Sequence, residues 1–208
     1  MRKMIPSSTL QVMHVVLNSE KSLSLRELSR EAQVPLSRCS RVISELERLG
    51  YVRKRPQIKA VNQELVYLLA YARPLKSLRS INFESLERPQ YLIKKIAELA
   101  GKSLAHAYTH LAGAELVAPY VVPNEVYVYI QEEQAGEWTK AFEDNQIYPS
   151  EGGQIHLAVS DINPFYKTRE VRGVKVVSNF LLFADLYSCG GREREAARFL
   201  AEKVGLRV

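Results

Sequence analysis

Ser37, Arg38, Ser40, Arg41 and Ser44 bring short hydroxyls and two guanidiniums close together, and no carboxylate follows until Glu45. Such groups suit a polyanion with readable edges. Hydroxyls bond phosphate oxygens, short side chains let the backbone approach, and arginine can hold guanine through two parallel hydrogen bonds. The spacing predicts a helix over about 36–49 to carry them. Cys39, Val42, Leu46 and Leu49 recur at steps of three, four and three with Ile43 beside them, so one face is apolar and the hydroxyl and guanidinium face is left outward. Gly50 then stops the helix as a left-handed cap. Beyond it, Arg53, Lys54, Arg55 and Lys59 lie in a short strand and a proline-containing turn, a basic wing suited to a phosphate backbone. The partner these residues imply is double-stranded DNA, with Arg38 and Arg41 as base readers and the wing cations as phosphate contacts.

Elsewhere the chemistry is sparser. His106 and His110 stand four apart on a predicted helix, but a zinc protease needs Glu beside the first histidine and Ala107 stands there. Packing or surface histidines are the plainer reading. Gly190-Gly191-Arg192 precedes a helix N-terminus that could receive phosphate, yet no P-loop pattern surrounds it, which favours an interhelical turn. Asp185 sits on a largely apolar helix. It is either a catalytic carboxylate or, more commonly, one buried with a hydrogen-bond partner in the neighbouring turn. Glu132-Glu133 reads as a solvated loop, and Cys39 as a small core residue rather than a redox sensor. There is no GxSxG, no CxxC and no GxGxxG after a strand, and Cys39 and Cys189 give neither a disulfide framework nor a metal-ligand spacing. No catalytic residue, metal or cofactor is therefore expected.

Charge is unevenly placed. Residues 1–80 carry 15 Lys/Arg against 6 Asp/Glu, a net of +9, whereas residues 81–208 carry 14 against 17, a net of −3. The basic excess thus belongs to the part holding the hydroxyl and guanidinium face, which strengthens the case for nucleic acid. A chain 46% hydrophobic and 25% charged is ordinary for a globular protein, not a disordered one. No apolar run approaches the ~18–20 residues of a membrane helix. The start, MRKMIPSSTLQ, has two basic residues without an apolar region behind them, so no signal peptide is expected and the location would be cytoplasmic.

The positioning elements follow from periodicity and caps. Ser7 or Ser8 can cap a helix over about 9–19 with Leu10, Met13, Val16 and Leu17 on one face. Ser24-Leu25-Arg26-Glu27 reads as a capping box opening a second helix, broken by Gln33-Val34-Pro35. Asn62 can cap a helix over 63–72, and residues 73–90 read as a linker or loop-rich connection. Helices are expected over 91–100 and 103–116. A strictly alternating strand over 125–131 precedes a short helix over 137–144 that carries Trp138. Gly152-Gly153 is a turn, strands follow over 155–160 and 174–177, and two helices over 178–187 and 193–204 close the chain. The fold class expected is α+β. Residues 1–60 form a winged helix-turn-helix, 61–81 a connecting helix and linker, and 82–208 a mixed α/β domain.

The run SLRELSREAQVPLSRCSRVISELERLGYVRKR resembles the winged helix-turn-helix of prokaryotic transcription regulators, with Pro35-Leu36 where such recognition helices more often open on Ser or Thr. Further on, GVKVVSNFLLFADLYSCGGREREAARFLAEKVGL resembles the C-terminal part of the AbiEi family, the antitoxins of type IV abortive-infection toxin–antitoxin systems. THLAGAELVAPYVVPNEVYVYI resembles the helix-to-strand passage of the same domain, and Asn179 stands where a proline usually follows VVS. The resemblance implies a winged helix followed by this domain, repression of the protein's own operon, and a nucleotidyltransferase-like toxin as partner. A solitary regulator would share the architecture. Two protomers on a palindrome are usual for such repressors, so a homodimer is an open expectation that no heptad marks. The function expected is a sequence-specific DNA-binding transcriptional regulator, a repressor. Two readings compete with it: a small-ligand-sensing regulator, and a nucleotide-handling enzyme fused to a DNA reader and using Asp185 with the Gly190-Gly191 turn.

Overall fold

A computed structural model describes residues 5–208. Helix α1 (Ser7–Asn18) is followed by α2 (Leu25–Ala32), which opens on the expected capping box. Ser24 N donates to Glu27 Oε2 at 2.7 Å, and Glu27 N donates to Ser24 Oγ at 3.2 Å. Gln33, at φ 53°, turns the chain into α3 (Leu36–Arg48). Pro35 supplies the carbonyl that accepts the Arg38 and Cys39 amides. Cys39, Val42, Ile43 and Leu46 are buried as expected. Leu49 is not part of the stripe: it lies at the C-cap and is 49% exposed, because the chain reverses at Gly50 with φ 80°. Strands β1 (Val52–Arg53) and β2 (Lys59–Ala60) form the wing, and Leu23 exchanges backbone hydrogen bonds of 2.8 and 2.7 Å with Ile58 to tie it to the start of α2.

Helix α4 (Leu65–Ala72) begins two residues later than expected, because Asn62 Oδ1 accepts the Glu64 amide in a turn that leads into it. Residues 73–90 are not a linker. They hold a 3-10 turn (Leu75–Ser77), β3 (Ser80–Glu84) and the start of α5 (Pro89–Ala100). Their charged character comes from exposed Lys76, Arg79, Glu84, Glu87 and Arg88 around a strand whose Phe83 is fully buried. The expected helix over 103–116 is likewise corrected. It divides into β4 (His106–Thr109) and α6 (His110–Val117), with the bend at His110, φ 56°. Every β4 residue is buried, so the strand lacks the polar alternation that would mark it.

The remaining elements are β5 (Val126–Ile130), α7 (Ala135–Glu143), β6 (Tyr148–Pro149), β7 (Ile155–Val159), β8 (Arg169–Val171), β9 (Val174–Val176), α8 (Asn179–Cys189) and α9 (Gly191–Val204). A seven-stranded sheet forms in the order β6-β3-β7-β5-β4-β9-β8. On one face, Trp138 and Phe142 of α7 meet His106 and Phe83, and Tyr108 donates to the Ile93 carbonyl of α5. On the other, Thr109 and Tyr129 reach Asp185 of α8. At Gly153 the chain crosses β3 so closely that a Cβ would lie 2.1 Å from the Phe83 carbonyl oxygen, which only glycine permits.

Helix α1 departs most from its expected one-sided stripe. Every residue from Leu10 to Leu17 is buried. A helix enclosed all round needs neighbours all round. Here α1 packs on α2 and α3 and also on α4 and α8, so the winged helix and the sheet domain share one apolar core.

Candidate nucleic-acid interface

The buried stripe of α3 fixes what the helix offers outward. At ~100° per residue, the face opposite the stripe carries Ser37, Arg41, Ser44 and Arg48 in one line. Ser37, Arg41 and Ser44 are exposed. Arg38 and Ser40 are half-buried on the flanks, and Arg38 Nη2 donates to Thr9 Oγ1 of α1 at 3.3 Å. Arg48, which the sequence reading did not single out, extends the line at the helix end. It is held in an exposed ion pair with Glu45 at 2.6 Å. Glu47 Oε1 accepts the Lys54 amide at 3.0 Å. The carboxylates of α3 are thus engaged at its C-terminal end, and the first two turns present hydroxyls and guanidiniums with no carboxylate, beside exposed Leu36.

The wing is fixed to this helix, since Lys54 Nζ donates to Ser44 Oγ at 3.0 Å. In the β1–β2 ladder Val52 pairs with Ala60, and Arg53 lies directly opposite Lys59. Val52 turns inward, so alternation turns Arg53 and Lys59 outward together, and both are exposed. Two like charges opposed on one rung repel. Arg55 is exposed at the wing tip. The nine predicted residues thus occupy one helix and the wing beside it.

Behind this interface lies a group the sequence reading missed. Arg73, in the supposed linker, is 3% exposed. Its Nε donates to Asp161 Oδ1 at 3.0 Å, Nη1 to Asp185 Oδ1 at 2.8 Å, and Nη2 to Tyr129 Oη at 2.6 Å and Ser160 Oγ at 2.9 Å. Thr109 and Tyr129 complete the Asp185 carboxylate through Oδ2 at 2.7 and 2.8 Å. Burial pushes the Asp185 carboxyl above its ordinary range, and Arg73 and the two hydroxyls offset part of that. Burial opposes the Arg73 charge, but Tyr129 and the two carboxylates outweigh it and keep the guanidinium protonated. Asp185 therefore has partners brought from distant segments, not from the neighbouring turn. The loop after β7 begins in this group and then grips the reading head: Asp161 accepts from Ser7 at 3.4 Å, the Asn163 amide donates to Gln11 Oε1 at 2.7 Å, and Tyr166 donates to the Glu31 carboxylate.

The two histidines do not share a helix face. His106 closes against the Leu104 carbonyl, while His110 is fully buried with its ring edge-on to Tyr127. Burial lowers His110 to about 3. Among the described residues no group of three or more His, Cys, Asp or Glu side chains could hold a metal ion, and no helix is long and apolar enough to cross a membrane. Cys39 is a core residue whose Sγ lies 3.4 Å from the Val34 carbonyl, and burial pushes its thiol up. Gly190 and Gly191, at φ 80° and 49°, form the turn between α8 and α9.

Comparison with known protein families matches residues 9–56 to the IclR helix-turn-helix domain. Residues 69–205 match the family described as transcriptional regulator, AbiEi antitoxin, type IV toxin–antitoxin system. No curated protein and no solved structure gives a significant match.

Proposed function

The chain belongs to the AbiEi antitoxin family of transcriptional regulators, and from that premise we propose that it is a sequence-specific repressor that reads double-stranded DNA through α3 and its wing. The observation that carries this reading is the opposed Arg53–Lys59 rung beside a helix whose first two turns hold no carboxylate. A phosphate between the two cations would relieve their repulsion, and in that position the outward line of α3 faces the groove. Arg41 reads a base edge, with Ser37 and Ser44 on either side. Arg38 and Ser40 contact the groove walls, Arg38 after leaving Thr9. Arg53, Lys54, Arg55 and Lys59 hold phosphates. Residues 1–60 carry this reading activity and 61–72 connect; the sheet domain, entered at Arg73 and β3 and not at 82, is the partner domain, for which a nucleotidyltransferase-like toxin is the proposed partner.

The test is fluorescence anisotropy of a labelled duplex taken from upstream of the protein's own gene. Arg41→Ala should lose about 1–3 kcal/mol of binding, roughly 5- to 150-fold, and relax preference at one base position. Joint replacement of Arg53 and Lys59 by Gln should weaken all sequences alike and lower the salt slope by ~2. Equal binding by wild type and Arg41→Ala would remove α3 from the mechanism, and an unchanged slope would turn the wing away from DNA.

A further inference from the structure

A cleft of about 560 Å³ lies between the reading head and the edge of the sheet domain. Lys59 and Gln63 line it from the head side and Lys167, Arg169 and Asn179 from the other, and Glu20 is the carboxylate among its lining residues. Its volume falls in the ~300–1,000 Å³ range of small-molecule sites. Three cations against one carboxylate leave it a net positive charge suited to a phosphate dianion. Arg169 is half-buried, and its Nε and Nη2 are shielded from solvent with no hydrogen-bond partner among the described residues. Burial lowers the guanidinium from its ordinary range. Asn179 Oδ1, on the same cleft, is also buried without a partner among those residues. Unpaired buried polar groups are costly, a charged one most of all; an arriving anion would remove that cost at Arg169, and a donor on the same ligand would remove it at Asn179.

We propose that this cleft binds a small phosphorylated molecule, its phosphate held by Lys59, Lys167 and Arg169 and a donor group of the ligand reaching Asn179, and that occupancy weakens DNA binding. The coupling runs through Lys59, which belongs both to the wing and to the cleft wall. This second half rests on the DNA reading above; anion binding itself does not. DNA phosphates share the chemistry, but a concave site with guanidinium nitrogens below the surface suits a small ligand. A duplex backbone is met more readily by exposed Arg53 and Arg55. By linkage, an anion that lowers affinity for DNA must be displaced by DNA to the same degree.

The experiment titrates inorganic pyrophosphate and ATP into the full chain by calorimetry, without DNA and at ionic strength fixed with NaCl. Saturable binding of at least one, with a Kd below about 1 mM, is expected, and weakening of at least tenfold in both Arg169→Gln and Lys167→Gln. Lys167 is exposed, so its variant remains informative if Arg169→Gln fails to fold. With the labelled duplex present, the same anion should raise the Kd for DNA in wild type but not in Lys167→Gln. Absence of saturable binding, or binding unchanged in both variants, overturns the site. Variants that lose DNA affinity and salt slope while wild type ignores both anions would show that the cleft contacts DNA instead. Anion binding without any effect on DNA affinity overturns the coupling alone. Anion binding by a chain that binds no duplex would sink the DNA reading and leave the site standing.

Discussion

His14 and His110 make this fold sensitive to acid. Both are fully buried, and burial lowers each from 6.5 to about 3, helped by Arg73 at His14 and by Lys76 at His110. In the unfolded chain they take up protons below about pH 6.5. In the fold they do not until about pH 3. The unfolded state therefore binds more protons across that window, and stability must fall as pH falls through it. Between pH 7 and 5 each ring should cost about 2 kcal/mol, or ~4 kcal/mol for the pair. That is a large part of a typical stability of ~5–15 kcal/mol. Urea unfolding at pH 7, 6 and 5, followed by the fluorescence of the buried and single tryptophan, Trp138, measures it. The comparison is His110→Asn, because asparagine tolerates the left-handed φ of 56° and cannot be protonated. Its loss over the same interval should be smaller by about 2 kcal/mol. The competing possibility is that Glu193, 3.8 Å from His110 Nε2, keeps the ring charged. An equal acid loss in both proteins, or a His110 ring that titrates near its ordinary value in NMR, would refute the reasoning.

Two further outcomes test the packing behind the interface. Arg73→Met leaves Asp161 and Asp185 without their shared cation and should destabilise by about 3–5 kcal/mol, visible as a lower urea midpoint at unchanged slope; a loss under ~1 kcal/mol would mean the carboxylates find other partners. Gly153→Ala drives a methyl group into the Phe83 carbonyl and should cost ~1–3 kcal/mol or more in the same assay; wild-type stability would show that the β3 crossing gives way.

The reading head was legible because its signals are local. The Ser24–Glu27 box closes within one turn, and the Cys39, Val42, Leu46 stripe fixes the outward face of α3 without reference to any other segment. Arg48 could have been found by the same arithmetic, one step further along the line. In the sheet domain the β-branched and aromatic strands β5, β7 and β9 and the helices α5, α7, α8 and α9 were legible, although β5 is buried along its whole length and does not alternate between core and solvent. Strand β4 is buried on both faces and the alanines on either side of it imitate a helix, so His106 and His110 were given a shared helix face they do not have. Arg73 was beyond local reading altogether. Its partners lie 56, 87, 88 and 112 residues away, and nothing in Tyr-Ala-Arg-Pro distinguishes an enclosed guanidinium from a solvated one. The same holds for the cleft, whose walls come from segments on both sides of the sequence.

The enclosure of α1 limits how this architecture can be recombined. Regulators are often pictured as cassettes, a reader joined to an effector by a tether that tolerates exchange. Here the first helix of the reader is also an internal wall of the effector, with Gln11 and His14 fitted to Asn163 and Tyr166. A transplanted reader would have to bring a first helix matched on both sides, and a substitution on either side of α1 is constrained by both halves at once. Change of DNA specificity within such a lineage should therefore proceed by altering α3 and the wing in place, not by swapping whole readers, and heating should melt both halves in one transition.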